Sequence, residues 1–248
     1  MRISSVAAAV AAASVSIVLV AGCGGDSDDD EAFEGQSADA IAAKAVDATK
    51  QAKSVHMKGD TRTEDGSTVS IDVSADQEKN CQGTVGSQGA KADVRHVGST
   101  FYLRGDEKYW QQSMKGQPAA AQKVVPKLQG KWVKMPATDD QLAGICDKQG
   151  VLTAMDEDKS ERKGMKRGET TEVDGEQAIK LTKQGSAGET MELYVATEGE
   201  PYILKTTTQG GKNPGSITFG DYNEPVKPEQ PPAGETVDLQ ELAGGQQT

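Results

Sequence analysis

Aromatic side chains are scarce in this sequence: three Phe, two Trp and five Tyr amount to 4% of 248 residues. Any core must therefore be built mainly from Val, Leu, Ile, Ala and Met. Positive charge is also in deficit, with 27 Lys and Arg against 38 Asp and Glu and a net charge of −11. That balance excludes the basic footprint of a nucleic-acid binder. Histidine is limited to His56 and His96, both in strand-like segments and neither in a metalloprotease pattern. A lone strand histidine of this kind faces solvent or hydrogen-bonds locally. No GxSxG elbow offers a serine nucleophile. Ser160-Glu-Arg-Lys163 matches SxxK by chance, inside a highly charged segment that neither SDN nor KTG follows. Asp139 and Asp140 read as helix-start acids rather than a glycosidase pair. No CxxC or nearby His completes a metal site around the cysteines. Nothing here argues for an enzyme, a cofactor or a metal.

The chain has a single long apolar run, Val6 to Val20, preceded by Arg2. A span needs about 20 apolar residues, so the run fits the h-region of an export signal instead. It ends in Val20-Ala21-Gly22-Cys23, which resembles the bacterial lipoprotein processing site. The resemblance implies a signal peptide over residues 1–22, a diacylglyceryl group on the Cys23 thiol, cleavage before it, and acylation (palmitate) of the new terminus. The alternatives are an ordinary secretory signal and a short anchor helix. Two acyl chains anchor stably where one does not. The expected location is thus the extracytoplasmic face of the cell membrane, lipid-anchored.

Residues 23–36 carry Asp26, Asp28, Asp29, Asp30, Glu31 and Glu34 and almost nothing apolar. They read as a disordered acidic tether reaching about 20 Å. Asp26 to Asp30 lacks the glycine and glutamate of a calcium loop, since Glu31 and Ser37 occupy those places. Cys81 and Cys146 remain after lipidation; in an exported domain they read as a disulfide, the alternative being two buried free thiols. Lys159, Arg162, Lys163, Lys166 and Arg167 could dock an anionic headgroup or a partner. Interleaved Asp156, Glu157, Asp158 and Glu161 favour a self-compensated, solvated loop.

Ser37 to Lys53 predicts a first helix with Ser37 as N-cap, Asp39 in its first turn and Ile41, Ala45, Val46 and Ala52 on one stripe. Period-two alternation then predicts about five antiparallel strands through Leu103, with a turn at Asp65-Gly66. The middle reads as helical: Glu107 to Met114, then Ala119 to Leu128 limited by Pro126, then a helix opened by the capping box Thr138 to Gln141 and interrupted at Gly150. Strands return after Arg167, with a turn at Asp174-Gly175. From residue 233 the polar chain reads as a disordered C-terminal tail.

The order helix, meander, helices, meander resembles the LolA-like lipoproteins, particularly the LppX and LprG group. Supporting phrases are Gly98-Ser-Thr-Phe-Tyr102-Leu103 before Trp110, Val173 to Leu181, Leu193 to Leu204, and Ile217 to Val226. The resemblance covers roughly residues 37–232. It implies an α+β fold, a strongly curved antiparallel sheet (half-barrel) with helices covering its concave face. It further implies an apolar cavity for a lipid or lipoglycan carried across the envelope. Met57, Ile71, Val73, Leu103, Ile179, Leu193, Val195, Leu204 and Phe219 are the candidates for that inner face. The alternatives are a closed core of the same fold that docks another envelope protein, and, less well matched, a two-lobed solute-binding protein. The expected partners are the membrane, a lipid ligand and an envelope protein, and no nucleic acid.

Overall fold

The computed structural model describes residues 32–63, 65–117, 122–136, 144–155, 163–185 and 188–238. Helix α1 (Ala38–Gln51) begins where the Ser37 hydroxyl accepts from the Ala40 amide at 3.2 Å. Asp39, in its first turn, also accepts from the amides of Gly164 and Met165 at 3.0 and 2.9 Å. One carboxylate thereby ties the helix start to the second half of the chain.

Strands β1 (Ser54–Arg62), β2 (Thr68–Asp76), β3 (Cys81–Ser87), β4 (Ala90–Val97) and β5 (Thr100–Gly105) form the expected meander. Helix α2 (Glu107–Ser113) starts at Asp106, whose side chain accepts from Tyr109 at 2.6 Å and from Lys91 at 3.0 Å. Short helix α3 (Val125–Leu128) contains Pro126 in its first turn, so this proline opens a helix instead of limiting one. Strand β6 (Trp132–Pro136) pairs antiparallel with β5. A helical turn at 144–146 leads to α4 (Lys148–Met155). Gly150 does not interrupt α4: its amide donates to the Asp147 side chain at 2.9 Å, which caps the helix. The Thr138–Gln141 capping box, the Ala119 end of the third helical segment and most of the charged run lie outside the described residues.

Strands β7 (Lys166–Val173), β8 (Glu176–Gln184), β9 (Thr190–Ala196), β10 (Ile203–Gln209) and β11 (Gly215–Gly220) complete the second meander. Asp174 and Gly175 link β7 to β8 with φ of 50° and 92°, the two positive values that a tight type I′ hairpin requires. All described strands, with the short β12 (Thr236–Asp238), join one open sheet in the order β12-β6-β5-β4-β3-β2-β1-β11-β10-β9-β8-β7. Twisted open sheets beyond about ten strands curl, and this one curves around its helices.

Two boundaries differ from the sequence reading. The chain read as a tail from residue 233 forms a 3₁₀ turn and then β12 (Thr236–Asp238), parallel to β6. Phe33, within the expected tether, is buried and packs with Ile41 and Ala45 of α1, while its carbonyl accepts from Arg167 at 3.1 Å. One aromatic side chain is enough to pull the end of an acidic segment onto the domain.

Two clusters on the concave face form most of the core, and a smaller third gathers Val173, Ala178, Ala196 and Leu204. One joins α1 to Val55, Met57, Ile179, Leu181, Leu193, Val195, Ile203 and Phe219. The other joins α2 to Val73, Val94, Phe101, Leu103, Val133 and Cys146. Ile71 packs against both.

Candidate functional site: the concave face

The strand register fixes which residues line the concave face. One row runs Phe219, Met57, Val73, Gly83, Val94, Leu103, Val133 across β11 and β1 to β6. Every apolar side chain in it is buried. At Gly83 a Cβ would lie 2.1 Å from the Asp72 carbonyl and 2.6 Å from the Val73 Cα, so only glycine permits this close approach. The next row runs Leu181, Leu193, Thr206, Ile217, Gly59, Ile71, Val85, Ala92, Gly105. Beyond it come Met191, Thr208, Gly215, Thr61 and Val69.

Burial changes between these rows. Val69, Ile71, Val85, Met191 and Ile217 are each only half-buried. The concave face is therefore filled at the end where the helices meet the sheet. At the hairpin end it is an incompletely covered aliphatic strip, interrupted at Gly59, which has no side chain, and at Thr206.

The inner-face candidates thus divide. Met57, Val73, Leu103, Ile179, Leu193, Val195 and Phe219 face inward and are packed in the two clusters. Ile71 lies on the half-buried strip. Leu204 is a correction: it packs with Val173, Ala178, Ala196 and Tyr194 on the opposite, convex face. A bulge between Ile203 and Lys205 reverses the alternation, so Ile203 points inward instead. Val69, Val85, Met191 and Ile217 were not among the candidates, although their strand periodicity marked them as inward.

Polar groups gather at the filled end. Cys81 and Cys146 are joined in a disulfide that staples β3 to the helical cover, with Cα atoms 5.4 Å apart. The next residues continue the fastening. Asp147 pairs with Lys79 at 2.8 Å, and that hydrogen bond, ahead of the Gly150 amide, holds its carboxyl below the usual range. Lys148 is fully buried and donates to the Lys50 carbonyl at 3.0 Å; desolvation pushes its ammonium below the usual lysine range. Gln149 donates to the same carbonyl at 2.7 Å. His96 is buried beside Cys81, with Nδ1 bonded to the Lys79 carbonyl at 2.5 Å. Across the sheet, buried Thr49 accepts from the Ile203 amide at 3.0 Å, and the Tyr222 hydroxyl donates to the Ile203 carbonyl. Burial pushes that phenol well above the usual tyrosine range.

His56 lies on the convex face, 2.7 Å from Asp72 and 3.4 Å from Asp221. Its hydrogen bond, with help from Lys58, holds the Asp72 carboxyl below the usual range. Cys23 lies outside the described residues.

No protein-family model and no curated protein matches the chain. Solved structures do. LprF from Mycobacterium bovis superposes with a TM-score of 0.51 at 14% identity, over 78% of this chain and 96% of that one. The Mycobacterium tuberculosis lipoprotein LppX matches at a TM-score of 0.46 and 16% identity, over 76% and 96%. The open, curved antiparallel sheet wrapped around helices is thus the fold of LprF, spanning nearly all of that protein's length.

Proposed function

We propose that this protein is a membrane-anchored envelope lipoprotein that holds the acyl chains of a lipid or lipoglycan on its concave face for carriage across the envelope. The half-buried strip of Val69, Ile71, Val85, Met191 and Ile217 is the observation that supports it. Aliphatic surface left incompletely covered at the hairpin end favours apolar contact, at about 25 cal/mol for each Å² taken from water. An acyl chain supplies that contact without unpaired polar groups. The packed end acts as a floor, braced by the disulfide and the Lys79–Asp147 pair. The strip at the hairpin end acts as the mouth.

Anchoring through a diacylglyceryl Cys23 is part of the same reading. Among the described residues no helix is long and apolar enough to cross a membrane. Replacing Cys23 with Ser should release the exported protein or leave it unprocessed. Quantitative retention in membranes after a high-salt wash contradicts the anchor.

A second reading, docking of another envelope protein, draws support from β7. Among the described residues this strand is the last of the sheet and pairs only with β8, so its other edge could take an added strand. Native mass spectrometry of protein purified from its own host separates the two. Co-purifying lipid upholds the carrier, and consistently empty protein favours docking.

A further inference from the structure

On the convex face, behind the filled row, lies a pocket of about 240 Å³ lined by Gln82, Gly83, Asp93, Val94, Arg95, Arg104 and Trp132. The register explains its shape. Gly83 pairs with Val94; Gly83 has no side chain and Val94 points inward, so their backbone is a bare floor on the convex side. The flanking outward pairs, Gln82 with Arg95 and Asp93 with Arg104, form the walls. Trp132 closes one end, with the guanidinium carbons of Arg95 and Arg104 both 4.7 Å from its ring centroid.

The two arginines are not equivalent. Arg104 is committed to Asp93, donating through Nε and Nη2 at 3.1 and 2.7 Å. The other Asp93 oxygen accepts from Thr84 at 3.1 Å, so that carboxylate is fully engaged. Arg95 donates from Nη1 to the Glu229 carbonyl at 2.9 Å and meets no carboxylate among the described residues. Its fork is thus held by an indole on one side and by the C-terminal segment on another, while its charge stays uncompensated. Held planar on an aromatic ring, a guanidinium keeps its remaining donors aimed and loses little freedom on binding.

We propose that this pocket binds a phosphate-type oxyanion, with Arg95 as the principal ligand. The remaining Nη1 of Arg104 and the Gln82 amide supply donors from the other wall. Arg95 and Arg104 against Asp93 leave the site positive on a chain whose net charge is −11. A local, oriented site is therefore required, because the long-range field of the whole chain opposes anions. The source is free phosphate or the phosphodiester of a lipid headgroup.

The test is a titration of the mature lipoprotein, in a neutral maltoside detergent, with inorganic phosphate, read by calorimetry and by Trp132 fluorescence in a Trp110→Phe background. Saturable binding is expected, with Arg95→Gln weakening it about tenfold or more and Arg95→Lys less. Lys205→Gln, elsewhere on the convex face, should leave it unchanged. Competition by dihexanoyl phosphatidylglycerol upholds the site with a headgroup as the source, and failure to compete upholds it with free phosphate. No saturation by about 20 mM phosphate, or equal affinity in Arg95→Gln, overturns it.

Discussion

The ammonium of Lys148 donates to the carbonyl of Lys50 at 3.0 Å, so a fully buried cation closes the last turn of α1. A helix C-terminus favours positive charge, yet desolvation still depresses this ammonium.

The sign of the pH effect follows. The folded-state value lies below the unfolded one, so between the two the unfolded chain binds more protons and stability rises with pH. The cost of the buried charge is complete below the folded value and gone above the unfolded value of about 10.4. Lys148→Met should raise stability at pH 7 by about 1 kcal/mol, at the low end for removing buried charge. Gln149 keeps the Lys50 carbonyl bonded. Melting curves from pH 7 to 10 check it. The variant's lead over wild type should narrow as pH rises; a lead that widens, or a lower-melting variant whose deficit shrinks as pH rises, contradicts the assignment.

Opening the disulfide should cost about 4 kcal/mol in the chain-entropy account of a bridge spanning 65 residues. Cys81→Ala with Cys146→Ala, compared by denaturant midpoint, reads the loss. Thiol labelling of exported wild type should find neither cysteine free. Two reactive thiols per molecule contradict the bridge.

Gly83→Ala places a methyl against the Asp72 carbonyl and should cost at least about 2 kcal/mol. Gly98 has positive φ but open space around it, so Gly98→Ala should cost only about 1 kcal/mol. Equal losses from the two variants would place the cost in backbone conformation and not in strand contact.

Much of this architecture was legible in the sequence. Ser37 at the start of α1, the alternation from Val55 to Leu103 and the Asp174-Gly175 turn are local signals that the tertiary structure did not override. What failed was non-local. Thr236 to Asp238 is too short and polar to read as a strand, and gains its structure from the exposed edge of β6. Phe33 is one apolar residue in an acidic stretch, and its burial depends on a groove made by distant elements. Leu204 was misplaced because a bulge shifts parity by one residue, which a period-two count cannot detect. The candidate inner face was legible as a face. Which of its positions are filled was not, because that depends on where the helices stop covering the sheet.

That division between filled floor and open mouth yields the most direct test of the account. Leu193 is 9% exposed and packed against α1's cluster, whereas Ile217 is half-buried on the strip. Tryptophan at each position should act differently. Leu193→Trp overpacks a core site and should cost about 1–3 kcal/mol. Ile217→Trp fills the mouth and should shift the melting temperature by under about 3 °C. The decisive measurement is native mass spectrometry of wild type and Ile217→Trp, each purified from its own host alongside a melting curve. The account predicts lipid bound to wild type and largely lost from Ile217→Trp at near-equal stability. Wild type that is consistently empty, or an Ile217→Trp protein carrying as much lipid as wild type, would contradict it.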